Sequence, residues 1–247
     1  MAVDSQFFVL AVIILVAFTT EAATGFGSTV IAVTLGLHLF PIQSLLPLLV
    51  PLNQILTAYI VYRHHQHIAY GLLLRGILPV MAIGLVAGLA LFHLVSNEAL
   101  RVLFGLFVVA VAARELLALL SASAPEARPL LPAAARNAGV LAAGVAHGLF
   151  ASGGPLLVYV LGRSNLDKRT FRSTLAVVWL TLNMVLTAVY FSTGRINADT
   201  LSALGLLLPA VMLSIVLGEW VHPRLDEQRF RLAVFGLLVF AGLTALL

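Results

Sequence analysis

Glu21, Ser28, Thr29, Asn53, Thr57, His147, Ser152, Asn183 and Thr187 are polar or ionisable residues set among runs of Leu, Val, Ala and Phe. Several of them gather at two glycine-bearing interruptions, Thr24-Gly25-Phe26-Gly27-Ser28-Thr29 and Ala151-Ser152-Gly153-Gly154-Pro155-Leu156. Glycine permits close backbone approach and left-handed dihedrals. Proline is tolerated in the first turn of a helix, where its missing N–H costs nothing. Gly153, Gly154 and Pro155 therefore predict the start of a half-helix, with free N–H groups and the positive dipole end directed at the break. Such donors suit a small oxyanion. Ser152 can add a hydroxyl, and in the first half Ser28 or Thr29 can cap the helix after Gly25 and Gly27 while presenting a hydroxyl in the same way. The competing reading is that Gly and Pro serve only to pack a kinked helix.

Asn53 and Asn183 are amides inside long apolar segments, and a buried amide must be hydrogen-bonded. They can flank a common substrate or tie helices together, and Thr57 and Thr187, one turn later, share that choice. His147 lies in the turn before the second break, where it can donate to an anion or change charge as a proton coupler. Glu21 is the acid of the first break region; a carboxylate is costly in lipid and beside a substrate can carry a proton. His64, His65 and His67 share a short loop without an acid or cysteine, which argues against a metal site. The basic run Arg163, Lys168, Arg169 and Arg172 reads as a topology determinant that can also attract anions or lipid phosphates.

These residues need a scaffold, and composition says which. Of 247 residues, 61% are hydrophobic and 10% charged, with a mean hydropathy of +1.08; a soluble domain carries roughly 25% charged residues. Most apolar runs are long enough to cross a ~30 Å hydrocarbon core, so the chain reads as an all-α polytopic membrane protein. The formal charge of +4 then reports membrane topology and not a nucleic-acid partner. There are no cysteines, which excludes disulfides, thiol catalysis and iron–sulfur clusters. The sequence holds no phosphate loop, serine elbow or zinc-protease pattern, so no enzyme and no cofactor are expected. The run Phe7 to Thr20 follows Asp4 without a basic flank and reads as a first spanning helix, not a signal peptide.

Ten segments follow: 7–23, 28–39, 44–62, 72–94, 99–120, 137–150, 156–162, 173–191, 201–221 and 230–247. They divide into a first membrane repeat (1–120), a cytoplasmic linker (121–136) and a second repeat (137–247). Leu56-Thr57-Ala58 matches Leu186-Thr187-Ala188, with Asn53 matching Asn183, and Leu78-Pro79 matches Leu208-Pro209 at the same offset, as does Gly88 with Gly218. If all ten segments cross, all but Arg101 and Arg195 of the 14 basic residues fall on one side. Re-entrant second and seventh segments would level that split. The charge bias thus favours ten crossings, basic loops in the cytoplasm and both termini outside. Five segments per half also make the halves an inverted repeat with broken helices, a transporter architecture.

The stretch Gly144-Val145-Ala146-His147-Gly148-Leu149-Phe150-Ala151-Ser152-Gly153-Gly154-Pro155-Leu156-Leu157 resembles the glycine-rich signature of the sulfite exporter TauE/SafE family, and Gly25-Phe26-Gly27-Ser28-Thr29 resembles its first-repeat signature. The resemblance spans about residues 10 to 245. It implies a secondary transporter for the export or uptake of small sulfur-containing anions such as sulfite or organosulfonates across the bacterial inner membrane, without nucleotide hydrolysis, with export the expected direction. In the first half Ser28 and Thr29 follow Gly27, and Val33 stands near the place of a family proline, so the two half-sites are expected to differ chemically. The partners expected are the lipid bilayer, a small sulfur-containing anion and protons. A channel-like facilitator and a non-transporting membrane scaffold are the other classes weighed.

Overall fold

The computed structural model describes residues 5–121, 131–161, 163–164, 166–224 and 227–246. Among them every regular element is helical. We number the main helices α1 (Ser5–Thr24), α2 (Ser28–Gly36), α3 (Ile42–His64), α4 (Tyr70–Leu94, with a π-turn at Leu73–Ile77), α5 (Asn97–Ser121), α6 (Ala133–Phe150), α7 (Gly154–Leu161), α8 (Lys168–Ser192), α9 (Ala198–Val221) and α10 (Glu227–Leu246).

Five of them, α1, α3, α4, α8 and α9, are long and apolar enough to cross a bilayer. Their outer faces carry large apolar side chains such as Ile83, Val86, Met212 and Val216, whereas Glu21, Ser28, Asn53, Thr57, His147 and Asn183 are buried. Apolar groups outside and hydrogen-bonded polar groups inside are the distribution that lipid demands. The chain is a multi-pass membrane protein.

The ends of the helices follow their local chemistry. Asp167 caps α8, its carboxylate accepting from the N–H groups of Arg169 (3.0 Å) and Thr170 (3.1 Å), and Asn197 caps α9 through Thr200. Pro41 precedes α3 and Pro132 precedes α6. At the breaks, α1 closes on Gly25 (φ 90°), whose N–H donates to the Glu21 carbonyl at 2.7 Å, and α6 closes on Ala151 (φ 50°), whose N–H donates to the His147 carbonyl at 2.7 Å. Glu21 and His147 thus occupy the same place, one turn before a left-handed stop.

At nine and eight residues, α2 and α7 are only about 12–14 Å long. They are half-helices that carry the chain back. Phe7 at the start of α1 meets Phe40, just before α3, at 6.4 Å, so α1 and α3 begin at the same end of the bundle. Likewise Val160, near the end of α7, touches Gly139, near the start of α6.

The main helix pairs are α1 with α9, α4 with α6, α3 with α8, and α5 with α10. Exchanging α1–α5 for α6–α10 in order leaves those pairs unchanged. The α4–α6 contact is backbone on backbone: a Cβ on Gly84 would lie 2.4 Å from the Leu141 carbonyl, and one on Gly88 2.2 Å from that of Val145. Gly144 and Gly148 meet the Met81 and Leu85 carbonyls at 2.4 Å in the same way, the close approach that small residues allow in lipid. Residues 122–130 of the expected linker lie outside the described residues, and 133–136 already belong to α6.

Candidate functional site

Where α3 and α8 cross the middle of the bundle, Asn183 Nδ2 donates to Asn53 Oδ1 at 2.8 Å. The two amides that match in sequence therefore touch. Asn53 Nδ2 in turn donates to Glu21 Oε1 and to Ser28 Oγ, both at 2.9 Å. On the other side His147 Nε2 lies 3.0 Å from Asn183 Oδ1. Because the Asn183 nitrogen is committed as a donor, its oxygen accepts, and Nε2 of His147 carries the proton. The chain of donation runs His147 to Asn183 to Asn53 to Glu21.

Glu21 ends that chain. Its carboxylate also accepts from the Ser28 N–H (3.1 Å) and from the Ser28 hydroxyl, so one of the orphan donors at the start of α2 is satisfied by a side chain from α1. This corrects the expected cap: Gly27, in the left-handed region, precedes α2 and makes no side-chain cap. Ser28 turns its hydroxyl toward Glu21 because a buried carboxylate needs donors more than a helix start needs a second acceptor. Ser152 similarly donates to the Phe150 carbonyl at 2.9 Å, closing the second break.

The polar atoms line a partly open cavity of about 20 Å³, measured as space for the centre of a water molecule. Its walls include Glu21, Gly27, Thr29, Val30, Asn53, His147, Ser152, Gly154, Trp179 and Asn183. Thus the N-terminal ends of both half-helices, α2 at Gly27–Val30 and α7 at Gly154, reach one cavity, each bringing first-turn N–H groups without intrahelical partners. Gly25, Ser28, Thr57, Gly153, Pro155 and Thr187 stand behind these walls. Thr57 donates to the Asn53 carbonyl at 2.9 Å. Gly153 is pressed against α6, where a Cβ would lie 2.3 Å from the Ala143 carbonyl, and Pro155 sits in the first turn of α7.

Two contributors escape a reading of the sequence, and a third lies deeper than it suggests. Trp179 stacks on His147 with ring centroids 5.5 Å apart and donates its indole N–H to the Gly25 carbonyl at 3.0 Å, so it joins the two breaks. Gln54 crosses from α3 to α8, donating to the Asn183 carbonyl at 2.8 Å and to Thr187 Oγ1. Arg172, expected to be a loop charge, is 4% exposed and ion-paired with Glu219 at 2.5 Å. The one sequence signal for these is position: Arg172, Trp179 and Asn183 fall on one stripe of α8 at helical spacing.

Comparison with known proteins agrees with this geometry. The family model described as sulfite exporter TauE/SafE matches residues 9–245. The chain is 30% identical over 169 residues to the probable inner membrane transporter protein TsaS of Comamonas testosteroni, covering 68% of this chain and 69% of that protein. No solved structure matches. The match over nearly the whole length, on a multi-pass helical bundle, makes this a membrane transporter and not an enzyme: the chain belongs to the sulfite exporter TauE/SafE family.

Proposed function

We propose that the protein is a secondary carrier that moves small sulfur-containing anions, sulfite or short organosulfonates, outward across the bacterial inner membrane. The observation that carries the reading is the cavity, lined by buried polar side chains, on which the N-terminal ends of α2 and α7 converge beside the Asn53–Asn183 pair. Two positive dipole ends and a set of N–H and amide donors, set among the apolar helices of the bundle, form an anion site. Gly27, Thr29, Ser152, Gly154, Asn53, Asn183 and His147 face the substrate. Gly25, Ser28, Gly153, Pro155, Thr57 and Thr187 hold those groups in place. About 20 Å³ is little more than a water needs, so sulfite enters by a widening of the cavity, as expected of alternating access and not of an open channel.

Glu21 puts a carboxylate in the wall of the same cavity. Two negative charges in so small a space repel strongly, so the anion binds when Glu21 has taken a proton, and the two cross together. His147, whose Nδ1 is buried without a partner among the described residues, is the second candidate for the proton, and donates to the anion once Nδ1 has taken it.

The exchange-invariant helix pairs and the Asn53–Asn183 contact support an inverted repeat of 1–120 and 137–247, joined by a cytoplasmic linker. The placement of all but two of the 14 basic residues supports cytoplasmic basic loops and termini on the outer side. The relative's description as a probable inner membrane transporter supports the location. The test is the full-length protein in proteoliposomes, assayed for sulfite, sulfate, thiosulfate and short sulfonates under imposed pH gradients. Saturable flux of a sulfur oxyanion is expected; absence of flux for all of them defeats the substrate class, and non-saturating flux favours a channel.

A further inference from the structure

The α3–α8 seam carries a buried charge at one end. The two helices run antiparallel, Asn53 beside Asn183 and His64 near Arg172, through the Glu219 carboxylate that both approach. Eleven residues along each helix (53 to 64, 183 to 172) amount to about 16 Å, half of a ~30 Å core. In the other direction the buried residues of the two helices, among them Leu46, Leu49, Val50, Leu186 and Tyr190, include no charge. The charged end is the basic end of the molecule.

There Arg172 is 4% exposed. One terminal nitrogen donates to Glu219 Oε1 at 2.5 Å, while its Nε has no acceptor among the described residues. His64 Nε2 is 3.7 Å from the same Glu219 oxygen. His222 is close by, its ring bonded to the Ala23 carbonyl at 2.6 Å. Arg172 also packs on the first break: a Cβ on Gly25 would lie 3.0 Å from the Arg172 Cα. Gly25 leads directly to the cavity through Trp179. A buried guanidinium with an unused donor is costly, and Glu219, at 31% side-chain exposure, reaches water where Arg172 does not.

We propose that Arg172, with His64, is an oxyanion capture site at the charged end of the α3–α8 seam, and that Glu219 latches it in the absence of substrate. The guanidinium fork suits bidentate contact with an oxyanion. The arriving anion takes the place of the Glu219 carboxylate, and release of Glu219 frees the end of α9 from α8, opening the way past Gly25. This inference rests on the transport reading above and adds the site of entry.

The test uses full-length protein in proteoliposomes with sulfite presented at each face, together with calorimetric binding of sulfite in detergent. Arg172→Gln is expected to raise the half-saturating concentration at the basic face by ~10-fold or more, with Arg172→Lys between it and the parent. Glu219→Gln is expected to lower it several-fold, because the latch is gone while the cation stays. Half-saturation at the opposite face stays within about twofold. The exchange Arg172→Glu with Glu219→Arg decides between capture and a mere structural tie. Full recovery of flux by the exchanged pair overturns the proposal, as does weaker binding in Glu219→Gln. Parent protein that neither binds nor moves sulfite or any short sulfonate overturns the transport reading and this site with it. Parent flux that no Arg172 variant alters overturns the capture site alone.

Discussion

At the scale of single residues, the central fact is that Glu21 accepts three hydrogen bonds and has no cation among the partners described for it. Replacing it by Gln keeps the size and one acceptor but removes the proton-binding oxygen. For one coupled proton, a gradient of one pH unit multiplies the accumulation ratio by at most about tenfold. Glu21→Gln is therefore expected to retain sulfite binding while its accumulation ratio with the gradient falls to that without it. A parent-like gradient response in Glu21→Gln removes Glu21 from coupling. Asn53, Asn183, His147 and Glu21 were legible in the sequence because a polar residue in an apolar helix must find a partner. Their order of donation was not, since Asn53 and Asn183 meet only through the crossing of two distant helices. The burial of Arg172 was hidden for the same reason: a basic residue early in a helix looks like a loop charge until α9 brings Glu219 to it.

At the scale of elements, packing between α4 and α6 leaves no room for a methyl group. In Gly88→Ala the new Cβ meets the Val145 carbonyl at 2.2 Å, and because the obstacle is backbone, the helices must part. A cost of about 1–3 kcal/mol is expected, visible as a lower thermal unfolding midpoint in detergent; Gly205→Ala, with nothing within 4 Å of its Cβ, should not show it. Asp167 supplies a second check. Its carboxyl is held below the usual carboxylate range, first by the Thr170 hydroxyl and then by backbone N–H groups. A lowered folded value stabilises the fold above the ordinary carboxylate pKa, ~4, and is lost as acid carries the group through its lowered value. The destabilisation in Asp167→Ala, read as the same unfolding midpoint, should thus be uniform from pH 5 to 8 and shrink below about pH 4. Both breaks were legible from Gly and Pro, and so was the start of α7, since Pro155 fits a helix's first turn; only the apolar run, which begins at Leu156, placed the segment two residues late.

At the scale of the whole molecule, the same helix pairs recur when the halves are exchanged, although the sequences share only scattered matches. Periodicity and composition were enough for the membrane class and the segment count, because lipid permits few architectures. They were not enough for which helices pair, since a Leu-rich face fits many neighbours. The topology yields its own prediction: reporters fused at either terminus should both be active on the outer side and silent in the cytoplasm. Opposite signals from the two ends would rule out an even number of crossings, and with it the inverted repeat.

One feature of the α3–α8 seam reaches further than binding. Charge stands at one end, around Arg172, and Leu46, Leu49 and Tyr190 stand at the other. Such lopsidedness supplies no energy. By microscopic reversibility, the ratio of catalytic constant to half-saturation must, with no gradient and no voltage, be equal for traffic in the two directions. A face that captures its anion tightly must then turn over more slowly at saturation than the face that does not. The protein can thus be kinetically one-sided, responsive to scarce substrate on the basic side, while the direction of net flow is left to the gradients across the membrane.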